Sequence, residues 1–238
     1  MNKLIIMLLE EFLELQEKDI EIQFRENMSK CLAATTKERL YEHAKSYNWK
    51  LNYVAHTDKN KVILVTKKSN LLPEIWVCST YTCYRNAYKK FLLEYFNISD
   101  LPKNYHVDHF LPKGIFNQNH PEYFIRLMLI PCKNNYIFGA DTEKLQIHFQ
   151  AEKEINGGYH VSYINLAKFY GYFLPGRKST EDERFVWAYN FASFLEKKNY
   201  GRKDMLYAGI LSLLYNVYRN LELNGYMQTS CGVLYLSA

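Results

Sequence analysis

Apolar residues repeat at two different periods in alternating stretches of this chain, and that interleaving confines it to a mixed α+β fold. Helical spacing puts Leu4, Leu8, Phe12 and Leu15 on one face, then Leu40, His43, Ala44 and Tyr47. A third such stripe is Tyr84, Ala87, Tyr88, Phe91, Leu92 and Tyr95. Thr35-Thr36-Lys37-Glu38 has the capping-box spacing where the second helix should open. Lys50 to Ala55 and Lys61 to Thr66 have strand character across the polar turn His56 to Asn60, and Ile75 to Cys78 follows Pro73 as a further strand. Leu145, Ile147 and Phe149 alternate with polar residues. Asn156-Gly157-Gly158 then supplies a hairpin turn, and Tyr159, Val161 and Tyr163 alternate beyond it.

The C-terminal part returns to helical spacing. Thr180 with Glu183 opens a helix faced by Phe185, Ala188, Phe191, Ala192 and Leu195 and closed by Gly201. Asp204 can cap a last helix with Leu206, Ile210, Leu214, Val217 and Leu221 inward, before Asn224-Gly225. No internal repeat is present.

Composition narrows the class. Hydrophobic residues at 48% and charged residues at 23% exclude a disordered chain. A net charge of +5 permits a polyanionic partner without requiring one. The 21 tyrosines imply a core with many hydroxyls to satisfy. Five scattered cysteines contain no C-x-x-C pair, so neither a disulfide framework nor a four-cysteine zinc site is expected, and a reduced, cytoplasmic setting is. The apolar run Leu4 to Leu9 is too short to cross a membrane, and Glu10, Glu11 and Glu14 follow it without a cleavage site. An amphipathic helix packed on the body or on a partner is expected there, and no membrane partner.

One segment carries chemistry: His106-Val-Asp-His-Phe-Leu-Pro-Lys113. In an extended backbone Asp108 and His109 point to opposite faces, so they share a site only at a bend or strand end, which Pro112 can supply. The carboxylate is a hard ligand for Mg²⁺ or Mn²⁺. The imidazole can take a proton from water near neutral pH. The plain alternative is a hydrogen-bonded loop. Leu127, Leu129 and Ile130 then form a short apolar strand, and Pro131 to Gly139 a turn into a short helix ended by Gly139. A phosphate-binding glycine loop, a G-x-S-x-G elbow and H-E-x-x-H are all absent from the sequence.

This succession resembles the HNH (His-Asn-His) endonucleases, and the string Asp108-His-Phe-Leu-Pro-Lys113 is similar to a bacterial subgroup that includes antiphage-defence nucleases. The resemblance covers about forty residues. It implies a ββα-metal module over 99–150, between an N-terminal helix–hairpin–helix region (1–98) and a hairpin return with a helical C-terminal region (151–238). It further implies Asp108 and Asn135 as ligands of Mg²⁺ or Mn²⁺, with Asn134 the next choice, His109 as general base, and Lys113 as a nucleic-acid contact. DNA stands ahead of RNA as substrate, and an ATPase or sensor subunit is an implied partner. Arg126 stands where the family has a bracing Asn. It is expected to hold the His109 loop or reach a phosphate; the alternative is a surface arginine. The family's paired cysteines are missing, so no structural zinc is expected. His106 is a support for a metal ligand, a metal ligand itself or a solvated strand histidine, while His120 suits a turn and His148 a solvent-facing strand. The rival to the enzyme is a nucleic-acid-binding or protein-interaction module on a catalytically degenerate HNH-like core.

Overall fold

Val62–Thr66 and Glu74–Cys78 have apolar residues in consecutive positions, the pattern of strands covered on both faces. In the computed structural model, which describes residues 7–26, 32–67, 72–112, 122–139, 158–176 and 178–223, they are interior strands of an antiparallel sheet. The elements in chain order are α1 (Leu9–Arg25), β1 (Ala33–Ala34), α2 (Lys37–Ser46), β2 (Lys50–Asn52), β3 (Val62–Thr66), β4 (Glu74–Cys78), α3 (Tyr84–Phe96), β5 (Tyr105–His109), β6 (Phe124–Pro131), α4 (Cys132–Ile137), β7 (Gly158–Tyr159), α5 (Tyr163–Tyr170), α6 (Glu181–Lys197) and α7 (Lys203–Leu223). The protein is therefore α+β, with strands in the order β2-β3-β4-β6-β1-β7 and β5 added to β6.

Strand β6 organises the sheet. Its first residues pair with β4 and with β1, and its second half pairs with β5. At the changeover, the Arg126 N–H donates to Leu32 O at 2.9 Å while its carbonyl accepts from Phe110 N at 3.1 Å. Opposite β5, the Gln16 side chain of α1 does a strand's work. Its amide donates to Leu129 O and accepts from Leu129 N, both at 3.0 Å, so this stretch of backbone is satisfied without another strand. The sheet draws on all three expected segments, since β4 pairs with β6 and β1 pairs with β6 and β7; boundaries at 98 and 150 do not separate sheets.

Apolar cores lie on both faces. α1 and α3 cover Val62, Leu64, Val77, Val107, Leu127 and Leu129. The C-terminal helices cover Phe110, Met128, Ile130 and Phe138. α2 begins at a Thr36 cap and α6 at the Thr180–Glu183 capping box. Two expectations are corrected. Tyr163 opens helix α5 and is not in a strand, because the Ser162 hydroxyl and the Asn165 amide cap that helix reciprocally. Asp204 lies inside the first turn of α7, which begins at Lys203. Lys113, His120, the Leu145–Phe149 run, the Asn156-Gly157 turn and Asn224-Gly225 lie outside the described residues. Among the described residues, no helix is long and apolar enough to cross a membrane.

Candidate active site

Strand β5 brings the candidate residues to β6 in fixed register: His106 faces Ile130, Val107 faces Leu129, Asp108 faces Met128 and His109 faces Leu127. Helix α4 follows β6 directly, so β5, β6 and α4 form one ββα unit. Cross-strand partners share a face. Met128 and Ile130 belong to the core under the C-terminal helices, and Leu127 and Leu129 to the core under α1 and α3. His106 and Asp108 therefore project toward α4 and α5, while His109 projects toward α3. Asp108 and His109 are the last two residues of β5, with side chains on opposite faces of the sheet.

On the first face, the Lys168 ammonium of α5 donates to Asp108 Oδ2 at 2.5 Å. The Lys168 side chain is 3% exposed and that of Asp108 19%. Asn135 of α4 donates from Nδ2 to His106 Nδ1 at 3.3 Å, and the Tyr136 ring meets His106 edge-on. Asn134 turns away: it is buried and donates to Phe169 O at 3.1 Å. Of the two asparagines, Asn135 is the one beside β5. Asp108 offers a carboxylate oxygen and Asn135 an amide oxygen; among the described residues no three His, Cys, Asp or Glu side chains cluster. Oxygen donors of these two types are the kind that Mg²⁺ or Mn²⁺ takes, alongside waters and substrate phosphates.

On the other face, His109 is buried and its ring packs against Tyr84 of α3, with centroids 4.4 Å apart. The two rings are tilted by 59°.

Arg126 corrects the sequence expectation most clearly. Its guanidinium is neither on the surface nor at the His109 loop. It reaches Asp19 at 2.6 Å and Gln23 at 2.7 Å on α1, and Glu74 at 2.8 Å on β4. Lys67 completes the set, 2.7 Å from Asp19 and 2.5 Å from Glu74, and Trp76 Nε1 donates to Glu74. All four charged side chains are at most 3% exposed. Burial alone would raise the Glu74 carboxyl, but Arg126 and Lys67 beside it, with hydrogen bonds from Lys67 and Trp76, hold it down at about 2. The backbone of Arg126 supports the chain just after His109, its carbonyl accepting from the Phe110 N–H.

Sequence reasoning missed Lys168, which stands sixty residues beyond Asp108. The available signal was Ser162 three residues before Asn165, a cap that makes the segment helical and puts Asn165 and Lys168 on one face. The chain matches no family model, no curated protein and no solved structure.

Proposed function

We propose that the chain is a metal-dependent endonuclease of the HNH type, hydrolysing nucleic-acid phosphodiester bonds and acting on DNA ahead of RNA. The observation that carries this reading is the β5–β6–α4 unit, with Asp108 and His109 as the last two residues of its first strand and Asn135 in its helix. Asp108 and Asn135 would hold one Mg²⁺ or Mn²⁺ ion. When bound, that ion supplies charge stabilisation to the phosphate and the leaving oxygen. His109 would take the proton of the attacking water, a role that requires the end of β5 to turn its imidazole from under Tyr84 toward the Asp108 face. Arg126 acts at a distance, tying the start of β6 to α1 and β4. A cytoplasmic defence or toxin setting, with an ATPase or sensor subunit as partner, belongs to the same proposal and is carried by the resemblance of the Asp108–Lys113 string.

One observation favours a second reading, a nucleic-acid-binding or protein-interaction module on a degenerate nuclease core. Asp108 is already paired with Lys168, and His109 is packed under Tyr84. Incubating supercoiled plasmid with Mg²⁺ or Mn²⁺ separates the two. The enzyme nicks it and His109→Ala does not, whereas the degenerate module leaves plasmid intact in both cases.

A further inference from the structure

Lys168 sits where a divalent ion on Asp108 would feel its charge. Its ammonium is 2.5 Å from Asp108 Oδ2 and almost wholly buried. Its helix is fixed independently at both ends. Asn165 Nδ2 donates to Phe110 O at 3.3 Å, on the chain just after β5, and Asn134 Nδ2 donates to Phe169 O. Beyond the helix, Gly171 has φ +70° and lies so close to Asn134 that a Cβ there would come within 2.6 Å of its Oδ1. These contacts tie α5 both to the chain after β5 and to α4, and so hold Lys168 beside Asp108.

Charge counting gives the consequence. The Lys168 ammonium already offsets the Asp108 carboxylate, so a dication bound at Asp108 adds two positive charges beside it in a half-buried site, where charge is poorly screened. A phosphodiester entering with the ion brings one negative charge against them. Without Lys168 the ion would meet an Asp108 carboxylate that this ammonium does not offset. We propose that Lys168 couples the two ligands of the site: it suppresses divalent-ion binding in the free protein and contacts the substrate phosphate, so that ion and nucleic acid bind together. The inference rests on the nuclease reading above.

The test titrates Mn²⁺ calorimetrically into the full chain, with and without a short thymidine oligonucleotide. His109→Ala is present in every arm so that the oligonucleotide stays intact. The oligonucleotide should tighten Mn²⁺ binding by about 5- to 150-fold, and by linkage Mn²⁺ should tighten the oligonucleotide equally. Lys168→Met should bind Mn²⁺ more tightly than the parent in the absence of oligonucleotide and lose most of the enhancement. Lys168→Arg, which keeps the charge, should retain the enhancement. An enhancement that survives in a folded Lys168→Met protein overturns the inference while leaving the metal site standing. Should Lys168→Met fail to fold, an unenhanced Mn²⁺ affinity in the Lys168-intact protein overturns it equally. Absence of Mn²⁺ binding in every arm overturns the metal-site reading itself, and the inference with it.

Discussion

Replacing Arg126 with Met tests whether the buried charge set is structural. Two carboxylates, Asp19 and Glu74, face two cations, Arg126 and Lys67, with almost no solvent access. Met fills part of the space but leaves one buried negative charge without compensation, which costs about 3–5 kcal/mol. For a chain of this size each kcal/mol lowers Tm by roughly 2–4 °C, so Arg126→Met should melt about 6–20 °C below wild type at pH 7. Adding Glu74→Gln removes the excess charge and should recover part of the loss, a coupling of about 0.5–3 kcal/mol. Acid supplies a second check. The Glu74 carboxyl is held below its ordinary value of 4.5, so its contribution is present above that pH and is lost as pH falls toward 2. Without Arg126 the Glu74 carboxyl moves up, so the gap between variant and wild type should narrow between pH 4.5 and 2. Differential scanning calorimetry across that range measures both effects. An Arg126→Met protein melting within about 1 °C of wild type would refute the buried network. If that variant also lost nicking, a phosphate contact for Arg126 would be restored.

Three further outcomes follow from the same contacts. Asp108→Ala and Asn135→Ala should weaken Mn²⁺ binding in calorimetry while His109→Ala preserves it; unchanged affinity in Asp108→Ala removes the ligand assignment. Gln16→Leu should destabilise by about 1–3 kcal/mol in urea unfolding, because Leu129 loses both partners on that edge of β6; a neutral result means another group satisfies that edge. Gly171→Ala should cost more than about 1 kcal/mol, since its φ is +70° and the added carbon meets Asn134; wild-type stability there would show that the α4–α5 junction yields.

Much of the fold was legible because its signals are local. Thr36 and Thr180 cap helices where their spacing announced them, and the Lys50–Thr66 hairpin follows from two strand-like runs around a polar turn. The interior of α1 was not legible. Its buried face includes Gln16, Asp19 and Gln23, polar residues that look solvent-facing until β6 and β4 supply their partners from more than fifty residues away. The place of Arg126 is hidden for the same reason: a charge in an apolar strand looks functional or exposed, and its partners Asp19 and Glu74 stand far off in sequence. In the candidate site, Asp108, His109 and Asn135 were recognisable as residue types in a pattern. Their distribution over two faces depended on the β5–β6 register, and Lys168 on a helix hidden by the Tyr159, Val161, Tyr163 alternation.

The central claim is that this site hydrolyses phosphodiesters with His109 as base. The most direct measurement is nicking of supercoiled plasmid by purified wild type, His109→Ala and His106→Ala at equal concentration in Mn²⁺, with melting curves confirming that all three are folded. The account predicts chelator-sensitive nicking by wild type and a loss of about 10²–10⁴ in rate for His109→Ala, with His106→Ala retaining most activity. Loss in His106→Ala with activity intact in His109→Ala would put the base on the Asp108 face, and intact plasmid with folded wild type would contradict the nuclease assignment.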